Sequence, residues 1–557
     1  MKHFPLLILA LAVVTASHAA RRADYRIIPL PKSVQADSTR VFTLQDGMGI
    51  AYDSTSEEQT RIAGFLAAWV KQATGLSLSL TPSDGKAALR LVIGEPVTKK
   101  KKARKGSPAD SLTAQQQEAY TIRVTAQGIA LQASRGVGLF RASQTLRKAL
   151  PAQAADAQPI EFPYATIQDE PRFAYRGVLL DCARHFFSTD VLKQYLDLMA
   201  LHGCNQFHWH LTEDQGWRFE VKALPQLARE GSIRQETVVG RNTGVYDGLP
   251  YGGYYTQQDC RDIVRYAAER YINIIPEIDL PGHMQSALHV LPHLGCTGGP
   301  YPVRTYWGVS DEVLCPGNPQ TMEFLRTVLG ELCDVFPSKY IHIGGDECPK
   351  KRWQSCPKCQ AKIRELGLKD DGKHSPENQL QTWVNHQVEQ FLAGLGRDII
   401  GWDEILEGGL SGQSIVMSWR GTKGGIEAAR QGHRVIMSPN VFGYIDHPQY
   451  KDEADKIPTA GRYIVSCSKI YSFEPLIPEE LRPEEQQYIL GPQTSLWTEH
   501  VAFPQHLFYM LLPRLGAMSE VQWCHPEQKD FEDFRLRLPR LMQLYDRIGI
   551  KYCRQVE

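Results

Sequence analysis

PQTMEFLRTVLGELCDV (319–335), followed within a few residues by YIHIGGDE (340–347), sets an amphipathic helix before a buried strand. In the first segment Met322, Leu325, Leu329 and Leu332 recur at spacings of three and four, the period of a helix with one apolar face. The second is a short apolar run that turns at two glycines and ends in two carboxylates. Such runs are expected of strands covered on both faces in a parallel sheet. The same couple recurs on either side: RGVLLD (176–181), NQFHWHL (205–211), INIIPEID (272–279), DIIGWDE (398–404), SIVMSW (414–419), a run over 433–439 and QTSLWTE (493–499). Helical patterns separate them, among others over 190–201, 257–270 and 379–395. Eight β/α alternations predict a TIM (β/α)8 barrel, α/β in class. The competing fold, an open doubly wound sheet, lacks its expected Gly-rich phosphate loop after the first run.

Upstream the texture differs. ALRLVIGEP (88–96) and YTIRVTAQGIALQAS (120–134) alternate in strand fashion, and helical stretches cover 60–74 and 136–150, so a smaller α+β domain precedes the barrel. The stretch 151–171, rich in Ala, Pro and Asp, reads as a linker. The organisation expected is a signal peptide over 1–20, an accessory domain over 21–168, the barrel over 169–525, and a C-terminal helical segment over 526–557 packed on the barrel.

Lys+Arg and Asp+Glu both number 62, so no broad basic surface points to nucleic acid, and the partner expected is a small or neutral molecule. MKHFPLLILALAVVTASHAA (1–20) has a basic start, an apolar stretch shorter than the roughly 20 residues of a membrane span, and small residues at its end, the pattern of an export signal. The protein is therefore expected in a periplasm or outside the cell, without a membrane span and without a lipid anchor. KKKKARK (99–105) then reads as a solvated loop. Export would let the twelve cysteines form disulfides. A loop-fixing bridge within CPKKRWQSCPKC (348–359) is expected in preference to a zinc knuckle or a redox motif. Cys296 and Cys315, flanking a Gly/Pro-rich loop, form a second candidate bridge.

The strand ends carry acids and tryptophans. Arg184 follows the first strand, and His208, His210, Glu213 and Asp214 follow the second. Glu277, Asp279 and His283 follow the third, Asp346 and Glu347 the fourth, and Trp402, Asp403 and Glu404 the fifth. Trp419 ends the sixth, Tyr444 and Asp446 follow the seventh, and Trp497 and Glu499 the eighth. Barrel chemistry gathers at this face. Tryptophan faces cover the apolar faces of a sugar ring, while carboxylates and Arg bind its hydroxyls. Neighbouring carboxylates at 346 and 347 are poorly placed to flank a glycosidic bond from both sides; they suit an acid plus a group that orients a nucleophile within the substrate, such as a 2-acetamido group. The His208-x-His210 pair admits a metal-hydrolase reading, which needs further ligands; His283 and His342 are available, but the later strand ends offer tryptophans and acids instead.

HIGGDE, together with ARHFF (183–187), HWHLTEDQGWR (208–218), PEIDLPGH (276–283), GWDEI (401–405) and LWTE (496–499), resembles glycoside hydrolase family 20, the β-N-acetylhexosaminidases and their relatives. The resemblance implies an exo-acting retaining enzyme that removes terminal β-linked GlcNAc or GalNAc from glycans without a cofactor or a catalytic metal. By that resemblance Glu347 is the general acid and base, and Asp346 holds the acetamido N–H. Tyr444 bonds the acetamido carbonyl oxygen, and Arg184 and Glu499 grip the 3- and 4-hydroxyls. Asp446 reaches the 4- and 6-hydroxyl region, and Trp402, Trp419 and Trp497 wall the pocket. His283 and Glu213 form a relay behind Glu347. The family pattern often has Asp where this chain has Glu213, which keeps the charge and adds a methylene. A pocket so walled is expected to raise the pKa of Glu347. The alternatives are a disaccharide-releasing enzyme of the lacto-N-biosidase kind, with a rim loop over 239–258, and a carbohydrate-binding protein without catalysis.

Overall fold

A computed structural model describes residues 21–82, 87–94, 112–151, 156–410, 412–461 and 463–557. The export signal (1–20) and the lysine run (99–105) lie outside the described residues. The chain divides into two compact units: one takes in residues up to 174, 200–203 and 516–552; the other takes in 175–199, 204–515 and 553–557.

The first unit is built on a seven-stranded sheet of β1 (Ser33–Leu44), β2 (Gly49–Tyr52), β3 (Ser79–Pro82), β4 (Leu89–Ile93), β5 (Tyr120–Thr125), β6 (Gly128–Ala133) and β7 (Ile160–Asp169), in the order β1-β7-β5-β6-β4-β2-β3. Helices Glu57–Thr74 and Gly136–Ala149 pack together through Phe65, Trp69 and Phe140. Strand β7 corrects the linker reading of 151–171. Ile160, Phe162, Ala165 and Ile167 alternate into the core, and the strand pairs with β1 and β5. Its Pro163 sits where the register of β1 shifts between Asp37 and Val41, a bulge that spares the proline a ladder hydrogen bond. Helix Phe531–Arg547, expected on the barrel, groups instead with this first unit. There Arg537 is buried against Glu520 (2.5 and 3.0 Å) and the carbonyl of Ile27 (2.8 Å).

The second unit is the barrel. Its strands are β8 (Gly177–Asp181), β9 (Gln206–His210), β10 (Asn273–Glu277), β11 (Tyr340–His342), β12 (Asp398–Trp402), β13 (Ile415–Ser418), β14 (Val435–Met437) and β15 (Ile489–Leu496), closed in chain order by parallel pairs. All eight expected runs contain a strand. Leu179, Ile275, Ile400, Ile415, Met417 and Ile436 fill the interior, each worth about 1.5–3 kcal/mol as a fully buried apolar side chain. No disulfide joins any of the twelve cysteines, which corrects both expected bridges.

Candidate active site

Short parallel strands end in loops at one face, and the loops carry the polar residues. After β8, Asp181 accepts the N–H groups of Ala183 (2.8 Å) and Arg184 (3.1 Å) and, across the barrel seam, that of Thr498 (3.1 Å). Arg184 is thereby fixed with one guanidinium nitrogen 2.6 Å from Glu213 and another 3.3 Å from Asp181. Glu213 lies in a two-residue hairpin strand after β9. Its other oxygen meets His283 Nδ1 at 2.8 Å, so the longer side chain reaches the imidazole.

The Gly344-Gly345 turn after β11 has φ of +66° and +95°. A β-carbon on Gly344 would lie 1.7 Å from an Asp279 carboxylate oxygen, so only glycine lets that acid approach. The turn delivers Asp346 and then Glu347, itself at φ +42°, a conformation few non-glycine residues adopt. His283 Nε2 lies 3.9 Å from Asp346 and 3.5 Å from Glu347. Both carboxylates thus stand at the same edge of one imidazole ring. Asp346 is mostly buried, whereas the Glu347 side chain is 41% exposed.

Trp497 forms one wall. Its ring lies 5.1 Å from the Arg184 guanidinium, 5.7 Å from Trp402 and 6.0 Å from Tyr444, and Tyr444 stacks on Trp419 at 9°. Asp446 is buried. One carboxylate oxygen each of Asp346, Asp446 and Glu499 is buried without a hydrogen-bond partner. Buried acceptors left open beside aromatic faces are what a polyhydroxylated ligand would satisfy.

The electrostatics differ from the sequence expectation at Glu347. His283, its Nε2 3.5 Å away, holds the Glu347 carboxyl below the ordinary glutamate range against the opposing effect of burial. The protonated imidazole beside it favours the charged carboxylate more than burial disfavours it. Burial is the largest effect on Asp346, and its pKa is pushed up to about 6 despite the opposing His283. Burial opposes charge on His283 itself, but Glu213, Asp214 and Glu347 outweigh it and hold the imidazole protonated well above its usual range. Burial also works against the charge of Glu213, but Arg184 and His283 keep it ionised.

The structure brings the eleven candidate residues of the sequence analysis to one end of the barrel. Two further acids have no role in the sequence reading. Glu404 accepts the Trp419 indole N–H at 2.9 Å, and burial, with Asp346 and Asp403, pushes its pKa up to about 8. Asp279, buried beside Asp346, is likewise held protonated. Beneath the pocket, Glu277 gathers His208 (2.9 Å), His210 (2.5 Å), His342 (2.9 Å) and the Trp402 indole N–H (3.0 Å), all fully buried. The His208-x-His210 pair thus lies against this carboxylate.

The sequence model for the catalytic domain of glycosyl hydrolase family 20 matches residues 173–526. The chain belongs to glycosyl hydrolase family 20. The model for domain 2 of the family matches 24–170, the first unit's sheet. Among family 20 relatives, a beta-hexosaminidase of Porphyromonas gingivalis is 38% identical over 531 residues, 94% of this chain and 64% of the relative. A beta-N-acetylhexosaminidase of Cellulomonas fimi is 30% identical over 95% of this chain and 96% of its own. The chain thus spans about two thirds of the Porphyromonas protein and nearly all of the Cellulomonas one. A mutant Streptomyces plicatus beta-hexosaminidase in complex with its product GlcNAc superposes with a TM-score of 0.79 at 30% identity, covering 95% of this chain and 96% of that one.

Proposed function

We propose that this protein is an exo-acting, retaining β-N-acetylhexosaminidase that uses the substrate's own acetamido group as nucleophile. The observation that carries the reading is the placement of Asp346 and Glu347 on one edge of His283. A double displacement by two protein carboxylates needs them on opposite sides of the anomeric carbon, about 5–5.5 Å apart. Two acids sharing an edge instead suit one donor to the leaving oxygen and one acceptor beside it.

In this reading Glu347 protonates the glycosidic oxygen as the bond to C1 breaks. The acetamido carbonyl oxygen closes on C1, giving an oxazolinium ion. Asp346 accepts its N–H and stabilises the positive charge, and the Tyr444 hydroxyl donates to the carbonyl oxygen. Glu347, now a carboxylate, takes a proton from the water that opens the ring from the β face, so configuration is retained. Arg184, Asp446 and Glu499 bind the sugar hydroxyls, and Trp497 covers the ring. A bound sugar would cover Glu347, supplying the desolvation that favours its protonated form. The hosts are glycans ending in GlcNAc or GalNAc, met after export.

The test is hydrolysis of p-nitrophenyl β-GlcNAc with product stereochemistry followed by NMR. The wild type should release the β-anomer first. Glu347→Gln should lower kcat/KM by about 10²–10⁴-fold on natural glycosides, whose leaving groups need protonation. First appearance of the α-anomer, or no hydrolysis by the wild type, would overturn the proposal.

A further inference from the structure

Four cysteines in the barrel unit meet at a single point. Cys296 follows the 3-10 turn Pro292–Leu294, Cys315 precedes helix Pro319–Val335, and Cys356 and Cys359 open helix Pro357–Glu365. The sulfur atoms lie 3.5 Å apart for Cys315–Cys359, 3.7 Å for Cys315–Cys356 and 3.8 Å for Cys296–Cys359, and all four fall within 4.8 Å of one another. Two disulfides would single out two partners near 2.05 Å. Here Cys315 and Cys359 each have two near-equal neighbours. Four sulfurs at the corners of a tetrahedron around a zinc ion, each at about 2.3 Å, lie about 3.8 Å from one another.

We propose that Cys296, Cys315, Cys356 and Cys359 bind one structural zinc ion as a tetrathiolate. The backbone around them is built for it. The Asn318 N–H donates to the Cys315 carbonyl at 3.0 Å, closing a tight turn directly after that ligand. A β-carbon on Gly317 would lie 2.2 Å from the backbone carbon of Lys358 and 2.5 Å from the Cys359 nitrogen, so the two ligand loops touch through their main chains. Val313, Trp353, Ile363 and Leu380 pack around the cluster, and Cys315, Cys356 and Cys359 are buried. Binding displaces four thiol protons and leaves a closed, doubly negative centre with no open position, a structural rather than a catalytic site.

Its effect reaches the chemistry through the chain. The Leu314 N–H donates to the Pro281 carbonyl at 3.0 Å, two residues before His283, and Cys356 and Cys359 end the loop that Cys348 begins directly after Glu347. The ion ties the loop bearing His283 to the loop that follows the carboxylate pair.

The full chain, purified without added metal or chelator, should carry about one zinc per molecule by elemental analysis. Exchange for cobalt should bring the visible bands and sulfur-to-metal charge transfer of a tetrahedral tetrathiolate. Cys356→Ser should drop bound metal at least about tenfold and lower the melting temperature, whereas Cys333→Ser, outside the cluster, should retain both metal and activity. The native protein's metal content and spectrum stand even if Cys356→Ser does not fold. Substoichiometric metal with all four cysteines reactive to a thiol reagent, or mass spectra showing them paired as disulfides, would overturn the proposal.

Discussion

Asp346 and Glu347 differ by one position and titrate in opposite directions. Glu347, open to solvent and beside a protonated His283, holds its charge, while buried Asp346 gives its charge up near pH 6. The productive form needs the reverse, a proton on Glu347 and an ionised Asp346. In the free enzyme the single shared proton therefore resides mainly on Asp346, and the limbs of the pH profile belong to the pair. The kcat/KM profile should be a bell with its alkaline limb near pH 6, where the second proton leaves. Asp346→Asn should slow turnover by about 10²–10³-fold, the scale of losing one fixed group that stabilises developing charge. In that variant Glu347 titrates alone, so the alkaline limb should move to lower pH, below the wild-type limb. A limb that stays in place would detach it from this pair. The sequence showed the two carboxylates and their neighbours but not these directions. The burial of Asp346 and the approach of His283 to Glu347 depend on a positive-φ turn that residue types alone do not reveal.

At the scale of elements, the barrel strands were legible because each apolar run is buried on both faces and separated from the next by an amphipathic helix. Strand β7 was not, because Ala, Pro and Asp in the stretch before it imitate a linker and a bulge in its partner hides the cost of Pro163. The cysteine cluster was hidden too, since its ligands come from three loops and span 63 positions. Below the pocket, Glu277 on β10 ties β9 and β11 through three histidines and β12 through the Trp402 indole. Burial opposes the charge on His210, but Glu277 outweighs it and pushes that pKa up to about 10; Glu277 is held well below the carboxylate range. The raised histidine contributes stability that is complete below its unfolded value and fades as pH rises through about 10. The depressed acid contributes stability that is complete above its unfolded value and fades as pH falls. Both contributions overlap fully between roughly pH 4.5 and 6.5. Glu277→Gln should cost roughly 3–5 kcal/mol there, because it leaves a buried histidine charge without its partner. The deficit should shrink above pH 10. Denaturant unfolding at pH 5.5 and 10.5 measures both, and an equal loss at the two pH values would contradict the ion-pair account.

Over the whole molecule, the first unit is discontinuous in sequence: its sheet comes from the N-terminal part and two of its helices from 516–552. Trp523 donates its indole N–H to Asp169 at 3.0 Å, the Leu30 N–H donates to Glu520 at 2.8 Å, and Arg537 joins Glu520 to Ile27. Charge-assisted bonds of this kind contribute about 1.5–3 kcal/mol each. A chain ended at residue 515 should lose about tenfold or more of the amide-exchange protection along β5 and β7, read by hydrogen exchange with mass spectrometry. Unchanged protection there would show that the sheet stands without its C-terminal helices.

The central claim, that the substrate's acetamide attacks its own anomeric carbon, is tested most directly by weakening that nucleophile. Aryl β-glycosides whose N-acetyl group carries one, two or three fluorines make the carbonyl oxygen progressively poorer without altering the leaving group. Asp346-assisted attack by the acetamide predicts that kcat/KM falls steeply and in order along the series. A kcat/KM that does not change along it would contradict the account and return the nucleophile to the protein.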